Sequence, residues 1–290
     1  MKPTEIVAVA NQKGGVGKTT TSVNLAAGVA QLGFPVLLVD LDPQANATSS
    51  LGIPPTKGGS IYDVLLGEGR AENRILATAV ERLSILPSEL DLAGAEVDIA
   101  RMDAYLTTLR RALQPILETN RYRFIILDCP PSLGILTMNA LAAAHAVLVP
   151  MQCEYFALEG LNVIHRLVQK LRESGANSAL RIEGLVMTMY DGRTNLSSDV
   201  VNEVSRHFPN EVYQTVIPRN VRLAEAPSHG KPIFLYDRYS AGAKAYLDLS
   251  REFLDRRHET YQPPPPPVRK ISLFRLQRSG SSLSDELTHS

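Results

Sequence analysis

Cysteine is scarce in this chain. Two occur in 290 residues, Cys129 and Cys153, and neither has a companion at metal-ligand spacing. Both lie in or beside apolar runs, so the expectation is a pair of buried thiols in a reducing cytosol rather than a metal or disulfide framework. Net charge is missing as well: 30 basic residues balance 30 acidic ones, no global field attracts nucleic acid, and any such contact must come from a local patch. Long apolar runs are also absent. The longest, Ala140 to Met151, contains His145 and Pro150 and falls short of the roughly 20 residues a membrane span needs. No signal peptide is read at the start, because Lys2 and Pro3 lead straight into a strand-like segment, so the expected location is cytoplasmic.

What is present is enough apolar sequence, 44%, to bury one substantial core. Strand-like runs at Ile6 to Ala10, Val36 to Val39, Leu83 to Leu86, Phe124 to Leu127, Ala146 to Val149, Ile182 to Thr188 and Val212 to Ile217 alternate with helical patterns. That order predicts an α/β fold, a doubly wound and largely parallel sheet flanked by helices. A first helix is expected from near Lys18, with Val23, Ala26, Ala27 and Ala30 on its apolar side and a stop at Gly33 before Pro35. Composition changes at Tyr261. Gln262 and the five prolines Pro263 to Pro267 read as an extended spacer, which divides the chain into a domain, 1–261, and a tail, 262–290. The tail carries four basic and two acidic residues, a net charge of +2, and ends serine-rich.

The richest segment is Asn11-Gln12-Lys13-Gly14-Gly15-Val16-Gly17-Lys18-Thr19-Thr20, directly after the first apolar run. Its glycines let backbone N–H groups converge on an anion, and the helix that follows points its positive end at the same place. Lys18 reaches terminal phosphates, and Thr19 offers a hydroxyl to Mg²⁺. Two further strands end in aspartate: Val36 to Asp40 leads into Leu41-Asp42-Pro43-Gln44, and Phe124 to Asp128 leads into Cys129-Pro130-Pro131. Ligands bind at the carboxyl ends of strands in such sheets, so Asp40, Asp42 and Asp128 are candidates there, Asp128 as the metal-holding carboxylate.

Lys13 departs from the common phosphate-loop pattern, and with it the chain resembles the ParA/MinD group of P-loop ATPases. The resemblance implies ATP and Mg²⁺ as ligands, with Lys13, Gly14, Gly15, Val16, Gly17, Lys18, Thr19 and Thr20 around the phosphates. It also implies an ATP-dependent homodimer in which Lys13 reaches the partner's ATP. From Ile6 to about Phe253 the chain is similar to the ParA/Soj branch, most strongly around Pro150 to Gly160, Thr188 to Asn195 and Ile217 to Pro227. That likeness assigns Asp42 to positioning the attacking water, Asp40 to its support, and Thr19, Asp42 and Asp128 to the metal. Pro218 and Asn220 fall to the adenine, and Arg193 and Arg222 to non-specific double-stranded DNA. The family stretch reads Asp-Pro-Gln-Gly-Asn-Ala-Thr-Ser-Gly; here Ala45 and Ser50 replace the two glycines.

The implied function is DNA partitioning on the nucleoid, with a ParB-like centromere-binding protein stimulating hydrolysis. Two alternatives share the loop. A MinD-like ATPase would go to the membrane through a C-terminal amphipathic helix, which Ile271, Phe274 and the tail's cations keep open. An iron-sulfur carrier would need paired cysteines, which Cys129 and Cys153 do not supply. Without the resemblance, pairing with neighbouring carboxylates such as Asp191 and Glu225 is the better reading of Arg193 and Arg222.

Overall fold

The computed structural model describes residues 2–154 and 157–261; the expected proline spacer and tail lie outside them. Seven strands form one sheet: β1 (Glu5–Val9), β2 (Val36–Asp40), β3 (Leu76–Ala77), β4 (Leu83–Leu86), β5 (Phe124–Asp128), β6 (Ala146–Gln152) and β7 (Arg181–Thr188). Their spatial order is β3-β4-β2-β5-β1-β6-β7, and every pairing except β3 with β4 is parallel. Eleven α-helices are described: α1 (Lys18–Gln31), α2 (Asn46–Ser50), α3 (Ile61–Leu65), α4 (Leu92–Ala100), α5 (Thr108–Thr119), α6 (Ile135–Ala143), α7 (Ala157–Glu173), α8 (Asn195–His207), α9 (Val221–Glu225), α10 (Ile233–Tyr236) and α11 (Ala241–Asp255).

Successive strand residues point to opposite faces, so each central strand feeds two cores. Ile6 and Ala8 of β1 join Leu37 and Val39 of β2 in a core shared with Leu92, Leu109, Leu136 and Leu161 of α4 to α7. Val7 and Val9 turn the other way, onto Leu25, Ala26 and Val29 of α1 and Tyr246 and Phe253 of α11. Helix α1 is therefore buried on more than the one apolar side expected of it, because α11 covers the side away from the sheet. The covering is close: a Cβ on Gly28 would lie 2.1 Å from the Ser250 Oγ. The helix does end as the sequence indicates, with Gly33 in the left-handed region at φ 103°.

The strand expected over Val212 to Ile217 does not form. Two isolated bridges, Leu185 with Val212 and Tyr190 with Pro218, and the Ile217 N–H donating to the Met187 carbonyl at 2.8 Å join this stretch to β7 and the residues just after it without a continuous ladder. Between them the backbone N–H groups of Gln214 and Thr215 donate to the Glu252 carboxylate, each at 2.8 Å, so a side chain of α11 takes donors that a ladder would need. At the amino ends of the strands, a nearly buried ion cluster closes the sheet. Arg257, 5% exposed in its side chain, reaches Glu183 at 2.6 Å and Glu5 at 3.2 Å, while Arg123 pairs with Glu259 at 2.6 Å. These contacts fasten the end of the described chain to the starts of β1, β5 and β7.

Candidate nucleotide site and the surface beside it

The order β2-β5-β1 puts three strand ends side by side. Register pairs Val9 with Asp128 and Asp128 with Asp40, so residues far apart in sequence share one row at the carboxyl edge. The loop after β1 arches over that row. Gly15 and Gly17 hold φ of 74° and 84°, a conformation other residues adopt at a cost, whereas Gly14 is not in that region. Gly17 caps α1, whose first residue is Lys18.

Two side chains that sequence reasoning missed hold this loop from below. Asn11, buried, donates from Nδ2 to the Pro150 carbonyl at 2.8 Å and accepts the Lys13 N–H at 3.1 Å. Thr188, the last residue of β7, donates to the Val16 carbonyl at 2.8 Å. Lys18 is 6% exposed, and its Nζ donates to the Lys13 carbonyl at 3.0 Å. Burial lowers the pKa of its ammonium, against the opposing pull of Asp128, Cys129 and Asp42. An anion in the cradle would offset that burial. Lys13 is ion-paired with Glu154 of its own chain, both about half-exposed.

The three aspartates have different surroundings. Asp40, fully buried, accepts from the Asp42 N–H at 3.1 Å and from the Thr48 N–H and hydroxyl at 2.8 and 2.7 Å, so it is a structural anchor. Asp42, 7% exposed, accepts the Gln44 N–H at 3.0 Å. Asp128 accepts the Ser22 hydroxyl at 2.7 Å on Oδ1, while its buried Oδ2 has no hydrogen-bond partner among the described residues. Burial first and Asp40 second push its carboxyl upward. An orphaned, unstable carboxylate oxygen beside a phosphate loop is what a divalent cation would satisfy, so the site fits Mg²⁺, with Thr19, Asp42 and Asp128 as the residues to hold it or its waters. Cys129 and Cys153 are buried as expected, and burial pushes both thiols up.

The replaced family glycines have opposite consequences. Ala45 occupies the left-handed region at φ 51°, where glycine costs nothing. Ser50 sits in helical backbone, and its hydroxyl donates to the Asn46 carbonyl at 2.6 Å. Beside this segment a cleft of about 330 Å³ lies between Thr19, Thr20 and Asn24 of α1, Asn46 and Ser49 of α2, and Lys231.

Beyond β7, Tyr190 donates its N–H to the Ile217 carbonyl at 3.0 Å and accepts the Arg219 N–H at 2.9 Å, which makes the loop carrying Arg193 a neighbour of the segment that leads into α9 and Arg222. Pro218 bridges to Tyr190, and the half-buried Asn220 has an Oδ1 without a hydrogen-bond partner among the described residues. Both arginines are exposed and both are paired: Arg193 with Asp191 at 2.6 Å, Arg222 with Glu225 at 2.8 Å and Asp237 at 3.5 Å. Arg193 holds the Asp191 carboxyl down to about 2.

A largely parallel sheet with a phosphate loop after β1, and with Asp128 and Asp42 at the carboxyl ends of β5 and β2, defines a P-loop nucleotide-hydrolase class, and residues 4–182 match the AAA domain family. The sporulation initiation inhibitor protein Soj of Bacillus subtilis (strain 168) is 52% identical over 249 residues, 86% of this chain and 97% of that one. The chromosome partitioning protein ParA of Caulobacter vibrioides (strain NA1000 / CB15N) is 47% identical over 258 residues, 89% and 96% of the two chains. Among solved structures, cobyrinic acid a,c-diamide synthase from Mycobacterium smegmatis with bound ATP analog and magnesium superposes with a TM-score of 0.76 at 37% identity, covering 90% of this chain and 99% of that one. The chain belongs to the ParA/Soj family of chromosome-partitioning ATPases.

Proposed function

We propose that the protein binds ATP with Mg²⁺, closes into a homodimer around the nucleotide, and binds double-stranded DNA without sequence preference through Arg193 and Arg222. A ParB-like centromere-binding protein then stimulates hydrolysis and releases it, so that it works in the cytoplasm on the nucleoid. One observation carries this reading above the membrane alternative: β7 serves both sites. Its last residue, Thr188, holds the phosphate loop, and the next five residues lead to Arg193 and to the Tyr190 contacts with the segment that leads into α9 and Arg222. A change in the loop is thereby delivered to the arginine surface over a few residues. By linkage, DNA that prefers the dimer must also favour it.

Lys18 and the backbone N–H groups of Gly14 to Thr19 would neutralise phosphate charge, and Asp42 would hold the water in line with the terminal phosphate. Bound Mg²⁺ would supply further stabilisation of the charge that develops on the phosphate oxygens. Pro218 and Asn220 would receive the adenine, with the unpaired Asn220 Oδ1 accepting from its amino group. Lys13 would leave Glu154 for the partner's phosphates. No helix among the described residues is long and apolar enough to cross a membrane.

The test is binding to random-sequence duplex DNA with a slowly hydrolysed ATP analogue, followed against salt. Wild type should bind only with nucleotide. Arg193→Ala should lower the slope of log affinity against log salt by about 0.9 for each DNA phosphate it no longer neutralises. Nucleotide-dependent binding to anionic liposomes with no DNA binding would refute the reading and favour the membrane class.

A further inference from the structure

The segment just after β4 has no motif, yet three consecutive residues in it grip the loops around the aspartates. The Pro87 carbonyl accepts the Ile61 N–H at 3.0 Å. Ser88 donates twice: its N–H to the Thr48 Oγ1 at 3.0 Å and its hydroxyl to the Asp42 carbonyl at 2.7 Å. The Glu89 carboxylate, 3% exposed, accepts the Ser60 hydroxyl at 2.6 Å and the Gly58 N–H at 3.0 Å.

The Ser88 hydrogen bonds close a ring. The Thr48 hydroxyl accepts from the Ser88 N–H, so its own proton is directed to Asp40, which it meets at 2.7 Å. Asp40 in turn accepts the Asp42 N–H at 3.1 Å, and the Asp42 carbonyl returns to Ser88. Asp40, Thr48 and Ser88 are fully buried, so water cannot substitute for a missing member. Asp42 is thus held by both of its backbone polar groups, on one side from β2 and on the other from β4. Its carboxylate is free of the ring and projects from a fixed backbone.

We propose that Ser88, acting through this ring with Thr48 and Asp40, is a positioning residue for Asp42, setting the direction in which its carboxylate presents water to the terminal phosphate. The inference rests on the proposed role of Asp42. A displacement of about 1 Å in a positioning group is enough to cost about a hundredfold in rate, whereas the phosphate cradle shares no hydrogen bond with the ring. Loss of the ring should therefore lower kcat and leave nucleotide affinity alone.

The experiment compares Ser88→Ala, Thr48→Val and Thr48→Ser in the full chain, with steady-state ATPase in the presence of DNA and titration of a fluorescent ATP analogue. Ser88→Ala and Thr48→Val should each lose about tenfold or more in kcat with nucleotide Kd within about threefold of wild type, and the double variant should be little worse than the poorer single. Thr48→Ser, which keeps the hydroxyl, should restore turnover. If Ser88→Ala does not fold, Ser88→Cys, of similar size but a weak donor, should show the same selective loss of kcat. Wild-type kcat in the variants lacking the hydroxyl, or kcat and affinity falling by the same factor, overturns the inference. Asp42→Ala separates the two claims. If that variant keeps its turnover, the reading of Asp42 falls and the ring's role with it; if it is inactive while Ser88→Ala is normal, only the ring's role falls.

Discussion

Gly28→Ala places a methyl group where α1 and α11 touch. The new Cβ would meet the Ser250 Oγ at 2.1 Å, the Ser250 Cβ at 3.0 Å and the Phe234 Cζ at 3.3 Å. The oxygen cannot rotate away freely, because it donates to the Tyr246 carbonyl at 2.7 Å in a fully buried setting. Relief therefore requires the helices to separate by about 1 Å, and so severe a contact falls at the upper end of the overpacking range, about 2–3 kcal/mol. Alanine recovers about 1 kcal/mol through its better helix propensity. The net expectation is a loss of about 1–2 kcal/mol, which at about 2–4 °C per kcal/mol lowers Tm by about 2–8 °C. Thermal denaturation with a second probe for two-state behaviour measures it. Adding Ser250→Ala removes the 2.1 Å clash and should return more than half of the loss, a coupling that distant residues would not show. A Gly28→Ala protein as stable as wild type, or one that Ser250→Ala fails to rescue, would refute the packing argument.

Lys18→Ala should abolish tight ATP binding and the nucleotide-dependent dimer with it; sedimentation showing a normal dimer would contradict the assignment of the loop. Ala45→Gly relieves about 1–2 kcal/mol of left-handed strain and returns about half of it as unfolded-chain entropy, so a Tm rise of about 1–4 °C is expected and a fall would argue against the backbone described. Arg257→Met removes the buried cation shared by Glu5 and Glu183, leaving them the half-exposed Arg181, and should cost about 3 kcal/mol in denaturant titration. The pH response of Glu5 should change too: burial tends to raise its carboxyl, but Arg257 and Arg181 outweigh that and hold it below the ordinary range. In wild type that contribution is complete above the unfolded pKa and is lost as pH falls through the lower native value. With Arg257 gone, burial weighs more and this acid-side loss should shrink; an unchanged acid limb would show that the cluster does not govern it.

Much of this protein was legible locally. Apolar runs marked six of the seven strands, broken only by Ser84 in β4 and by Glu183 and Gly184 in β7, because burial on both faces of a parallel sheet favours Val, Ile and Leu. The phosphate loop announced itself through glycines whose positive φ at 15 and 17 is a local requirement, and the strand-terminal aspartates followed from where such sheets expose their carboxyl ends. The two-residue β3 was too short to leave a pattern, and Val212 to Ile217 has the composition of a strand but loses two donors to Glu252, some 38 residues away. Asn11, Thr188 and Ser88 escaped for the same reason: a buried hydrogen bond between residues about 40 to 170 apart imposes no spacing on the sequence, and Ser, Thr and Asn are equally at home in turns. The sequence alone determined six of the strands, the loop and which residue types could meet a phosphate and a metal. Strand order and register, which follow from packing the whole chain at once, decided that Asp40 and Asp128 share a row, that Ser88 closes on Asp42, and that the loop of Arg193 is joined to the segment leading into α9 and Arg222.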